Sequence, residues 1–143
     1  MTTVDQLTQV FCDNFVAYTR SHIAHLNITG RNFFSDHKFL QEVYEDLQDE
    51  IDFSGELIRS LGEKVPAGLD EISMRSHIDT SEIAGDADTL LSDVRDDLEH
   101  LKSCYVELLT VAEDEKLEEI ANHAQDRLLA LEKFIWMLDS ILS

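Results

Sequence analysis

Apolar residues return every third or fourth position through nearly all of this 143-residue chain, and only one proline and five glycines interrupt them. That spacing keeps one face of an α-helix apolar, and so few breakers leave room for long helices. A first helix is predicted from Thr3, with Thr3 and Gln6 as a capping box, through Val4, Leu7, Phe11, Phe15, Tyr18, Ile23 and Leu26. It should stop near Thr29, before Gly30. A second begins between Asn32 and Ser35 and carries Phe39, Leu40, Val43, Tyr44, Leu47, Ile51, Ile58 and Leu61, with Gly62 as its stop. At that length it spans about 40 Å. A third carries Leu90, Leu91, Val94, Leu98, Leu101, Tyr105 and Leu108. The fourth has the most regular repeat, Leu117, Ala121, Ala124, Leu128, Leu131, Ile135, Leu138 and Leu142, which is the seam of a left-handed bundle. Residues 111–119, VAEDEKLEE, read as a short acidic connection between these last two.

Residues 63–85 form the one long connection. A loop of that size in a compact fold usually holds structure of its own. Residues 68–76 suit a short helix with Leu69 and Ile72 facing inward. No strand-like alternation occurs. The expected architecture is all-α: one domain over residues 1–143, a four-helix bundle with a short helix in the long crossover between helices two and three.

The chain carries 30 acidic and 11 basic residues, a formal net charge of −19. That charge repels nucleic acid and anionic membranes and attracts cations. Cys12 and Cys104 form no CxxC pair and read as buried or idle thiols in a reducing compartment. The first residues have no basic segment, so no secretion signal is expected, nor is a membrane span. A cytoplasmic protein is the expectation.

The chemistry concentrates between His25 and Gly62. His25 and His37 flank the Gly30 turn, and Asp52 and Glu56 follow one helical turn apart. Histidines mixed with carboxylates suit iron, zinc or manganese. From His37 to Asp52 is fifteen residues, a rise of about 22 Å, so one metal cannot touch both in one chain. The two halves could join only if a second copy packs antiparallel on the first, as in a two-fold dimer. A metal pair inside one bundle would need Glu-x-x-His on two helices. The nearest match is Asp97-Leu-Glu-His100, and it has no counterpart. His77, His100 and His123 read as surface or satisfied core residues, and Trp136 as a packing anchor.

His25-Leu-Asn-Ile-Thr-Gly30, Asn32-Phe-Phe, His37, Asp52-x-x-x-Glu56, Leu61-Gly62 and Lys133-Phe-Ile-Trp136-Met-Leu together resemble the Dps mini-ferritins, along the whole chain. The resemblance implies a ferritin-like fold and a hollow dodecamer built from two-fold dimers. It also implies ferrous iron oxidised, often by hydrogen peroxide, at sites shared between subunits. His25 and His37 would come from one subunit and Asp52 and Glu56 from its neighbour, with zinc as a substitute metal. Three positions depart from the family. Gln41 stands where an aspartate ligand is usual, and an amide oxygen is a weaker, neutral ligand. Leu26 replaces a tryptophan, with Tyr44 as the aromatic that could stay close. Lys38 replaces a frequent acid. Glu42, Glu45, Asp46 and Asp49 are the candidates for an acidic inner surface that nucleates mineral. Glu113, Asp114 and Glu118 are the candidates for a pore through which iron enters. DNA-binding members use a lysine-rich tail; here no lysine precedes Lys38, so direct DNA binding is not expected. Two other readings remain: a cage with a weakened site that serves as a shell or metal buffer, and an acidic helical interaction module.

Overall fold

The computed structural model describes residues 1–143 as five helices and no strands: α1 (Thr3–Asn27), α2 (Phe33–Ser60), α3 (Leu69–Arg75), α4 (Ala87–Asp114) and α5 (Glu118–Leu142). Helix α1 packs on α2, α4 packs on α5, and α1 lies against α4, while short α3 rests on α1. The predicted stripes supply most of the core, but Ile23, Leu26 and Leu61, placed on them by spacing, are exposed because they lie near the helix ends, beyond the cover of the neighbouring helices. Leu40, Val43, Leu47 and Ile58 of α2, Leu90, Leu98, Leu101 and Leu108 of α4, and Ala124, Leu131 and Leu138 of α5 are buried in one cluster. No helix is long and apolar enough to cross a membrane.

Helix boundaries moved where cap chemistry decided them. The α1 cap is Thr2 rather than Thr3: its hydroxyl accepts from the Asp5 backbone, and Asp5 returns the bond to the Thr2 N–H. That frees Gln6 to turn inward, where Nε2 donates to the Cys104 carbonyl oxygen. Helix α1 ends at Asn27, two residues early, because Ile28 is extended and buried. Gly30 makes the turn into α2 with φ of 118°, a conformation that a Cβ disfavours.

The crossover is pinned by Ile72, Ile78 and Ile83, all buried, and by Arg20, whose Nη1 donates to the Ser81 carbonyl. Arg20 also binds the buried Asp97 at 2.7 Å, which ties α1 to α4. Asp97, predicted to lack a metal partner, is therefore a structural carboxylate. The short helix forms where expected, but Leu69 faces outward and only Ile72 is buried, because seven residues place a single row against α1.

The acidic segment before α5 is not a loop. Helix α4 runs through Asp114, leaving Glu115, Lys116 and Leu117 as the turn. Lys116 takes the left-handed conformation there, with φ of 60°. Glu113 and Asp114 thus end α4, and only Glu118 and Glu119 begin α5, where acids complement the helix dipole.

Candidate functional site

The Gly30 turn brings His25 at the end of α1 beside His37 in the first turns of α2. Their rings stack with centroids 3.7 Å apart and an angle of 17°. Each imidazole reaches the other residue's backbone. His25 Nδ1 bonds the His37 carbonyl at 2.7 Å, and His37 Nδ1 bonds the His25 carbonyl at 2.8 Å. A carbonyl only accepts, so both Nδ1 atoms carry the proton. Both Nε2 lone pairs are then left for a ligand, the arrangement that orients metal-binding histidines.

His25 is buried, and desolvation pulls its pKa below the ordinary histidine value against the His37 carbonyl and the Glu45 charge, which raise it. A neutral imidazole is the metal-binding form, so the shift keeps the half-site ready near neutral pH. The same shift has a stability consequence. The folded-state pKa lies below the unfolded one, so the contribution of neutral His25 is present above the unfolded value of about 6.5 and is lost as pH falls through the folded value. Titration of the iron-free protein by NMR should give His25 a midpoint below the ordinary histidine value of about 6.5.

Asp52 and Glu56 lie on the exposed face of α2. A hydrogen bond with Asp52, and then its charge, hold the Glu56 pKa above the usual carboxylate range. Two carboxylates one helical turn apart repel each other when both are charged, and a cation between them would offset that repulsion. The structure brings His25 and His37 together, and Asp52 and Glu56 together, but not the two pairs. No group of three or more His, Cys, Asp or Glu residues in one chain could hold a metal ion. Gln41 lies on the histidine side, where its Nε2 donates to Glu45 at 2.8 Å.

The mineral-surface candidates divide. Glu42, Glu45 and Asp49 are exposed, but Asp46 is held by Arg127 of α5, at 3.0 and 2.6 Å. Asp46 is thus a structural partner. Glu50, one turn further on, is buried: it accepts from Tyr105 at 2.7 Å and meets His123 Nε2 at 2.7 Å. Asn14 donates to the same Tyr105 hydroxyl. The acids of α2 taken alone do not reveal this cluster. The available signal was paired: Asp46 and Glu50 on α2 face His123 and Arg127 on α5, each pair four residues apart. Trp136 is 63% exposed in a single chain, so the packing that would make it an anchor is not within this subunit.

Around the histidines runs a set of aromatic contacts. Tyr44 is edge-on to His25, with centroids 5.0 Å apart, and stacks on His22 at 4.0 Å and 10°. The Tyr18 hydroxyl lies 3.1 Å from His22 Nδ1. Phe33 stacks on His37 at 4.9 Å. Tyr18 and His22 were not linked in the sequence, although their spacing of four places them on one face of α1.

Residues 4–143 match the ferritin-like domain family. A DNA protection during starvation protein of Helicobacter pylori is 29% identical over 144 residues, covering 100% of both chains. The crystal structure of Helicobacter cinaedi CAIP is 30% identical, with a TM-score of 0.92, covering 99% of this chain and 100% of that one. A Dps protein from Bacillus brevis is 26% identical, with a TM-score of 0.93, covering 99% and 95%.

Proposed function

The chain belongs to the ferritin-like family, with Dps proteins as its homologues and structural neighbours, and from that premise we propose that it oxidises ferrous iron at sites shared between two subunits. The ferric product is stored inside a closed homo-oligomer, a dodecamer built from two-fold dimers, and the cell is protected from iron-driven oxidative damage. The single observation that carries this reading is the division of ligands. One chain offers two oriented Nε2 lone pairs near one end of α2 and an exposed carboxylate pair about 22 Å away toward the other. Antiparallel pairing of two copies sets each histidine pair against the other chain's acids. Leu26, Phe33 and Phe34, exposed around the histidines, suit burial under that second copy.

Iron is the substrate. Two ferrous ions give up one electron each, and the peroxide O–O bond takes both and leaves two hydroxides, so no hydroxyl radical is released. The imidazoles His25 and His37 bind in their neutral form. Asp52 and Glu56 neutralise the charge that grows as iron becomes ferric. Glu42, Glu45 and Asp49 offer anionic oxygens for ferric mineral, and Glu113, Asp114 and Glu118, exposed around the turn between α4 and α5, suit an entry route for cations. Protection needs no contact with DNA, since a surface of this charge repels phosphate.

Gln41 favours a second reading, in which the assembled shell holds metal but oxidises it slowly. Its amide leaves the histidine half-site without the carboxylate that would offset charge there. The experiment mixes ferrous iron with peroxide anaerobically and follows ferric absorbance. Oxidation should outrun a His25→Ala, His37→Ala control; equal rates would sink the proposal. Gln41→Asp should accelerate oxidation by about tenfold, the scale on which a ligand environment tunes a site. A light-scattering mass near that of one chain or a lone dimer would reject the closed shell and favour an acidic interaction module.

A further inference from the structure

We propose that Tyr18 is a redox-active tyrosine that supplies an electron to the neighbouring iron site when only one ferrous ion is bound, passing its proton to His22. The inference rests on the shared-site reading above and adds a residue that reading does not use.

The geometry points to Tyr18 among the three tyrosines. Oxidising a neutral phenol is easy only if its proton can leave in the same step, which requires a base at hydrogen-bond distance. With its proton on Nε2, the His22 ring presents Nδ1 to the Tyr18 hydroxyl at 3.1 Å. From there the contacts lead without a gap to a ligand. His22 stacks on Tyr44 at 4.0 Å, Tyr44 meets His25 at 5.0 Å, and Tyr18 is itself edge-on to Tyr44 at 6.2 Å. Tyr18 also shares one open cleft with Asp49 and Asp52, so it lies toward the acidic half-site as well. Tyr44 is nearer the histidines, but its hydroxyl has no hydrogen-bond partner in the chain, so it suits passage of an electron rather than loss of a proton. Tyr105 has an acceptor in Glu50, but it is fully buried in the bundle centre and outside this run of rings.

A site holding one ferrous ion can give peroxide only one electron, and a one-electron cleavage releases hydroxyl radical. Tyr18 closes that gap. The O–O bond breaks and takes one electron from iron and one from the phenol. The products are one ferric ion, two hydroxides, a neutral tyrosyl radical and a protonated His22. The next ferrous ion to arrive returns the electron to the tyrosyl radical and becomes ferric, and His22 returns the proton.

The test uses the full chain in its native oligomer. Anaerobic protein is loaded with half the ferrous iron its sites can take, mixed with peroxide, freeze-quenched and read by electron paramagnetic resonance, with ferric iron measured on the same sample. A tyrosyl spectrum is expected in the wild type. Per ferric ion formed, it should be lost in Tyr18→Phe and in His22→Leu, which keeps the phenol and removes its base. Spin-trapped hydroxyl radical should rise in both. Ferric iron without a tyrosyl signal, or a signal that survives Tyr18→Phe and disappears in Tyr105→Phe, overturns the proposal. Failure of the wild type to form ferric iron at all overturns the shared-site reading and this proposal with it.

Discussion

Two inactive variants, mixed, should regain about a quarter of the wild-type sites. The first variant carries His25→Ala and His37→Ala, and the second carries Asp52→Ala and Glu56→Ala. Each alone loses either the oriented imidazoles or the carboxylate pair, and peroxide-dependent iron oxidation should fall by at least about 100-fold. When the two chains assemble together at random, about half of the two-fold dimers contain one of each. In such a dimer the intact histidines face intact acids at one site, and both damaged halves meet at the other. One site in two is restored in half of the dimers, giving about a quarter overall. A site built within one chain predicts no recovery at any mixing ratio. Ferric absorbance after coexpression, or after dissociation and reassembly, separates these outcomes. The measurement depends on neither the identity of the oxidant nor the contribution of Gln41.

The largest stability effect should come from Arg127→Met. Arg127 is buried, donates to both Asp46 oxygens and lies 3.6 Å from Glu50. Helices α2 and α5 meet chiefly through such long side chains rather than by close backbone approach, so this cluster and the Phe39–Phe134 contact define how they face each other. Methionine replaces much of the volume and none of the charge. It leaves Asp46 half-buried and Glu50 buried without their cation, a loss of the kind that costs about 3–5 kcal/mol. For a chain of this size the melting temperature should drop by roughly 10 °C. Calorimetry at fixed protein concentration checks it, since assembly itself adds to stability. A drop comparable to that of a surface substitution would mean that the pairing is dispensable.

The bundle was legible because helical periodicity is a local signal repeated many times, and the buried rows of α2, α4 and α5 are the rows it marked. The crossover helix was legible too, but not its rotation: seven residues are too few for periodicity to tell Leu69 from Ile72. The turn at Lys116 was hidden for a different reason. A run of acids reads as a loop by composition, while helix α4 continues through Asp114 with its apolar row at Leu108 and Ala112 still buried.

At the candidate site, the residue types and their separation were enough to divide the proposed ligands into two pairs that one chain keeps apart. The reciprocal bonds from His25 and His37 to each other's carbonyls could not be foreseen, since they depend on the ring orientations set by the Gly30 turn. The Glu50 cluster was missed because each member is unremarkable in its own helix and acquires meaning only from the one opposite.

The separation along α2 also gives the chemistry a beginning in time. On the shared-site reading, a newly made chain carries two incomplete pairs and cannot oxidise iron while it is alone. Reactivity then switches on with the contact that starts to build the container, so ferric iron is not produced on free chains, where it would have no enclosed place to go.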